Sequence, residues 1–184
     1  MPTSATDQYF SKVFAFDGSS TYTDITLEMQ SPAGTSSTVL ADTNDILYLG
    51  DTDRFDMAIF DIDTAGSLGA LTWEFSNGSN WTAFTPLSAT YYTDPDDSPD
   101  TAYAFSKDGA EQFPTGRMSD WATLTVNSVN IYWIRCTSAA SVSTAPSIRS
   151  IRKRALAAYC STQDVFNLLQ LKNVSTTDGS GSDF

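Results

Sequence analysis

Carboxylates are the reactive groups this sequence offers most freely. It carries 22 Asp and Glu against 10 Lys and Arg, and no histidine at all. Without histidine there is no Ser-His-Asp or Cys-His nucleophile system. With only Cys136 and Cys160 besides, the usual zinc ligand sets cannot be assembled. Neither a G-x-x-x-x-G-K-[ST] loop nor a G-x-G-x-x-G turn after a strand is present, so no phosphate cradle is visible. Two carboxylates are enough for glycoside hydrolysis, and Glu74 and Glu111 are the candidates beside the many aspartates. Glu74 is expected on the outward face of a strand and Glu111 beside a turn, and nothing in their spacing makes them converge. No catalytic residue is assigned, and a non-enzyme is expected.

The loop DPDDSPD (94–100) raises a calcium question. Asp94, Asp96, Ser98 and Asp100 alternate like the first ligands of an EF-hand loop. Pro99 then stands where that loop needs glycine, and Phe105 where it needs a bidentate glutamate. A solvated turn is the plainer reading, and a weaker, non-EF calcium site at Asp94, Asp96 and Asp100 is the alternative. No other cofactor is expected.

Rings and cations supply the remaining candidates. Trp81, Tyr91, Tyr92 and Trp121 lie beside expected turns, where they either stack on the sugar rings of a glycan or cap the ends of a core. The stretch IRSIRKR gathers Arg149, Arg152, Lys153 and Arg154. On a chain of formal net charge −12, that cluster suggests salt bridges, either within the chain or to a neighbouring subunit. The acidic balance disfavours nucleic acid, whose binders carry basic patches.

These residues must be positioned by a fold, and the elements read as strands. Hydrophobic residues make up 41% and aromatics 12% of the chain, enough for a packed core. Tyr22 to Met29 alternates with period two, which predicts a half-buried strand. DILYLG (45–50) and RFDMAIFDID (54–63) follow, the second apolar on both faces as an interior strand would be. In WEFSNGSNW (73–81), Leu71, Trp73 and Phe75 share one face, and Asn77-Gly78 marks a hairpin turn leading back through Trp81. A strand pair about Asp108-Gly109 is expected over 103–113. SDWATLTV (119–126) leads into NIYWIRCTS (130–138), where Ile131, Trp133 and Arg135 oppose Tyr132, Ile134 and Cys136.

At least eight such strands predict an all-β antiparallel β-sandwich, jelly-roll-like, over residues 1–145, with a barrel as second choice. Residues 146–184 are expected to form an arm: a strand near 147–153, a helix near 162–171 opened by Ser161 and Asp164, and a mobile tail. Two buried thiols are a plainer expectation than a Cys136–Cys160 disulfide. The first residues lack the pattern of a signal peptide. No apolar run approaches the ~18 residues of a membrane span, so a soluble chain without a membrane partner is expected.

The run from about 45 to 151 resembles a domain of structural proteins from tailed phages and related archaeal viruses. The resemblance rests on the order LYLG, RFDMAIFDID, WEFSNGSNW, DWATLTV and YWIRC. A second resemblance, in AYCSTQDVFNLL (158–169), is to the opening helix of phage head–tail adaptor (connector) proteins, which continue with helices this chain lacks. Together they imply a virion protein of the neck, tail, baseplate or capsid surface. Its partners would be other virion proteins and copies of itself, with Arg149, Arg152, Lys153 and Arg154 docking subunits. A glycan- or receptor-binding module using the four rings is the alternative. The resemblances imply no catalytic residue.

Overall fold

A computed structural model of the chain describes residues 8–31, 34–89, 105–138 and 142–155. The fold is the expected all-β sandwich: two antiparallel sheets packed face to face. Its strands in chain order are β1 (Gln8–Tyr9), β2 (Lys12–Phe16), β3 (Tyr22–Asp24), β4 (Ser37–Thr38), β5 (Ile46–Asp51), β6 (Phe55–Thr64) and β7 (Leu71–Ser76). They continue as β8 (Trp81–Phe84), β9 (Leu87–Ala89), β10 (Gly109–Gln112), β11 (Leu124–Val126), β12 (Val129–Ser138) and β13 (Ser147–Ala155). The first sheet runs β1-β13-β6-β10-β9, with β4 also on β13. The second runs β3-β2-β5-β12-β7-β8, with β11 on β12.

Alternation builds the interface between them. Val13, Leu47, Leu49, Trp73, Phe75, Ile134 and Cys136 come from the second sheet, and Ala58, Phe60, Ile148 and Ile151 from the first. Phe10, Phe55, Phe113 and Trp121 close one end with mostly edge-to-face contacts, such as Phe10 on Phe55 at 4.8 Å and Phe55 on Trp121 at 5.1 Å.

Three expectations change. The period-two reading of 22–29 holds only to Asp24, after which Thr26–Met29 forms one helical turn, α1. Asp24 Oδ1 accepts the Thr26 N–H, and Thr26 Oγ1 accepts the Val13 N–H, so the chain turns before the alternation can continue. Ile25 and Met29, four apart, are buried, while Leu27, inward on the strand reading, is 79% exposed. Next, β10 pairs with β6 and β9 rather than with residues before Asp108. Asp108 instead accepts the Ile62 N–H at 2.7 Å, beside the irregular β6–β13 register.

The third change concerns the boundary at 145/146. Ser147–Ala155 is no arm: β13 lies between β1 and β6, pairing with β6 from Thr64 to Phe55, and Ile148 and Ile151 are fully buried. Its apolar residues give β6 a neighbour that the first 145 residues do not supply. The helix expected over 162–171, its Ser161 and Asp164, and Cys160 lie outside the described residues. Among the described residues no helix is long and apolar enough to cross a membrane.

Candidate functional site

The second sheet has two apolar faces. Its outer one carries Phe14, Tyr48, Val126 and Trp133, buried, with Phe16, Tyr22, Ile46, Trp81, Leu124, Val129 and Ile131 half-buried around them. The sequence positions them locally. Phe14 and Phe16 alternate with inward Val13 and Ala15 on β2, and Tyr48 stands between Leu47 and Leu49 on β5. Trp133 lies flat over β5 because position 50 is glycine; a Cβ there would overlap its ring. Val126–Val129 is a two-residue hairpin in which Asn127 and Ser128 both have positive φ, 44° and 68°, folding Leu124 and Val126 onto the same face.

At the rim of this face four residue types meet. The Arg135 guanidinium stands 4.2 Å above the Trp81 ring, and its Nε donates to Glu74 Oε2 at 2.7 Å. Arg135 and Tyr22 both lie close enough to act on the Tyr48 phenol. Tyr48 is 5.7 Å from Trp81 and 5.7 Å from Tyr22, ring to ring. Burial pushes the Tyr48 phenol up to about 12 from 10.0; Arg135 opposes that, and Tyr22 adds to it. The result is a half-wet ledge of Trp, Arg and Tyr, the residue types that dominate binding energy where proteins dock.

The hairpin beneath it is held by its own side chain. Asn77 Oδ1 accepts the N–H groups of Ser79 and Asn80, its Nδ2 donates to Thr82 Oγ1, and Gly78 takes φ 90°. Ser76, fully buried, donates to the Ala122 carbonyl at 2.6 Å and accepts the Trp133 N–H at 3.2 Å. That hydroxyl bridges the point where β12 passes from β7 to β11.

The expected site residues are placed as follows. Trp81 is on the ledge. Trp121 is fully buried, its Nε1 donating to the Trp133 carbonyl at 3.2 Å, so it belongs to the core and cannot stack on a sugar. Tyr91, Tyr92, Asp94, Asp96 and Asp100 lie outside the described residues. Among those described, no three His, Cys, Asp or Glu side chains group around a common metal position.

Of the two salt-bridge readings of the basic run, bridges within the chain are formed by Arg149 and Lys153. Arg149 bridges Asp61 at 3.5 Å and also pairs with Asp63. Lys153 is buried and reaches across the sheets to Asp51, Nζ to Oδ2 2.6 Å. Asp51 also accepts the N–H and hydroxyl of Ser11, at 3.0 and 3.1 Å. A strand in mid-sheet must point alternate residues inward, so a basic run on it cannot present all its charges to a neighbour. Arg152 is half-buried and has partners of its own; of Arg154 the strand position alone is described. The two glutamates do not converge either. Glu74 is on the outer ledge, and Glu111 is buried between the sheets, where with desolvation it raises the Cys136 thiol.

Searches against family models, curated proteins and solved structures found no match.

Proposed function

We propose that this chain is a structural subunit of a tailed-virus particle, at the neck, tail, baseplate or capsid surface. It would act by packing against other virion proteins and copies of itself. One observation carries the reading. The motifs that resemble virion proteins are not scattered: LYLG, RFDMAIFDID, WEFSNGSNW and YWIRC are β5, β6, the β7–β8 hairpin and β12. These strands form the middle of both sheets and one rim. The outer ledge of Trp81, Arg135 and Tyr48 supports an assembly role, because those side chains pack well at protein contacts. The sugar-binding alternative needs at least two open rings on one face; Trp121 is in the core, and Tyr91 and Tyr92 lie outside the described residues.

The test is electron microscopy of virus particles labelled at this protein. Label at a fixed position and copy number is expected. Particles that carry none of the protein overturn the reading.

A further inference from the structure

We propose that the outer edge of β8 is a self-association edge, which pairs antiparallel with β8 of a second copy of this chain. The proposal deepens the assembly reading by naming the partner and the surface.

The sandwich treats its edges unequally. The outer side of β13 is covered by β1 and β4, with α1 packed against it. The β3 edge carries Asp24, bridged to Lys12 at 2.7 Å. Charged residues on an edge and covering elements are the devices that stop sheets from joining. Among the described residues the β8 edge has neither. Among the described residues β8 pairs with β7 alone, and its sequence, Trp-Thr-Ala-Phe, contains no charge and no proline.

Backbone geometry makes this edge ready to pair. The Asn77 N–H donates to the Asn80 carbonyl at 3.0 Å, so those two residues are a hydrogen-bonded pair. By the alternation of an antiparallel ladder, the N–H and C=O groups of Trp81 and Ala83 then point away from β7. Ala83, on that edge, is exposed.

Electrostatics selects the occupant. Two copies of a chain with net charge −12 repel. Residues 75–93 are the longest stretch of the sequence without a charged side chain, and β8 lies inside it. Here two copies can meet with no carboxylate on either strand. An antiparallel pair of identical strands is isologous: each copy offers the other the same donors and acceptors, and the contact closes as a dimer. It also brings the two Trp81–Arg135 ledges to the same seam.

Sedimentation of the full chain over a range of concentration and salt tests this. A dimer is expected, strengthened by salt because salt screens the repulsion between acidic bodies. Ala83→Pro removes an outward donor, and Ala83→Lys places a like charge opposite its own copy. Each is expected to raise the dimer dissociation constant by about tenfold or more, with the circular dichroism spectrum unchanged. Thr23→Lys, on the β3 edge, leaves the dimer intact. Should Ala83→Pro fail to fold, Ala83→Lys decides alone. A wild type that stays monomeric throughout overturns the proposal, as does a dimer that survives Ala83→Lys or one that Thr23→Lys removes equally. A monomer that is nonetheless found in particles sinks this inference and leaves the assembly reading standing. A β8 dimer never found in particles does the reverse.

Discussion

The two aromatic clusters of this sandwich differ in kind. The inner one, built on Phe10, Phe55, Phe60, Trp73, Phe113 and Trp121, is fully enclosed between the sheets, and its rings pack mostly edge to face. The outer one, built on Phe14, Tyr22, Tyr48, Trp81 and Trp133, is threaded with Lys12, Arg135 and Glu74. Ring burial stabilises both, but the outer cluster keeps a cation–π pair and a salt bridge on a half-exposed face. The inner cluster answers to the fold alone, whereas the outer one can exchange water for a partner without reorganising the sandwich.

Substitutions can break that contrast. The largest effect belongs to the inner cluster. Trp121→Ala is expected to cost about 3–5 kcal/mol, the range for emptying a buried large ring, and denaturant unfolding would measure it. Next comes the seam between the sheets. Lys153→Met leaves the buried Asp51 carboxylate without its cation and is expected to cost about 3 kcal/mol. If adding Asp51→Leu recovers little of that loss, the bridge is not an isolated pair.

A smaller effect is expected at the ledge. Trp81→Ala removes a half-buried ring and a partly exposed cation–π contact, worth roughly 1 kcal/mol in stability. A loss as large as that of Trp121→Ala would erase the distinction between the clusters. Smallest is a pH effect. The Tyr48 phenol titrates near 12 when folded against 10.0 ordinarily. The fold therefore favours its neutral form, and that contribution is complete below pH 10 and lost as pH rises through about 12. Tyrosinate absorbance should show one late-titrating phenol, missing in Tyr48→Phe.

How much of this was legible beforehand follows from which signals are local. Strands β5, β6, β7 and β12 could be read directly, because alternation and the Asn77-Gly78 turn are written in adjacent residues. The helical turn at 26–29 was hidden because Ile25, Leu27 and Met29 satisfy period two by coincidence, and only the Thr26–Val13 contact reveals the bend. The basic run 149–154 could be read as salt-bridging, but not with which acids: Asp51, Asp61 and Asp63 are nearly a hundred residues away. Trp121 beside a turn gave no sign that a distant Phe55 would enclose it. The outer ledge was half visible: Arg135 was placed on the Trp133 face, but its meeting with Trp81 and Glu74 is a cross-strand event.

The position of β13 has a consequence for how the molecule comes into being. Gln8 pairs with Lys153, and β6 has no second neighbour on that side until Ser147–Ala155 arrives. Contacts between such distant parts of a chain make folding slow. During synthesis the first sheet is expected to stay open along that side of β6 until β13 is made. A chain interrupted before that point is expected to expose a long apolar strand and to aggregate more readily than the whole sandwich.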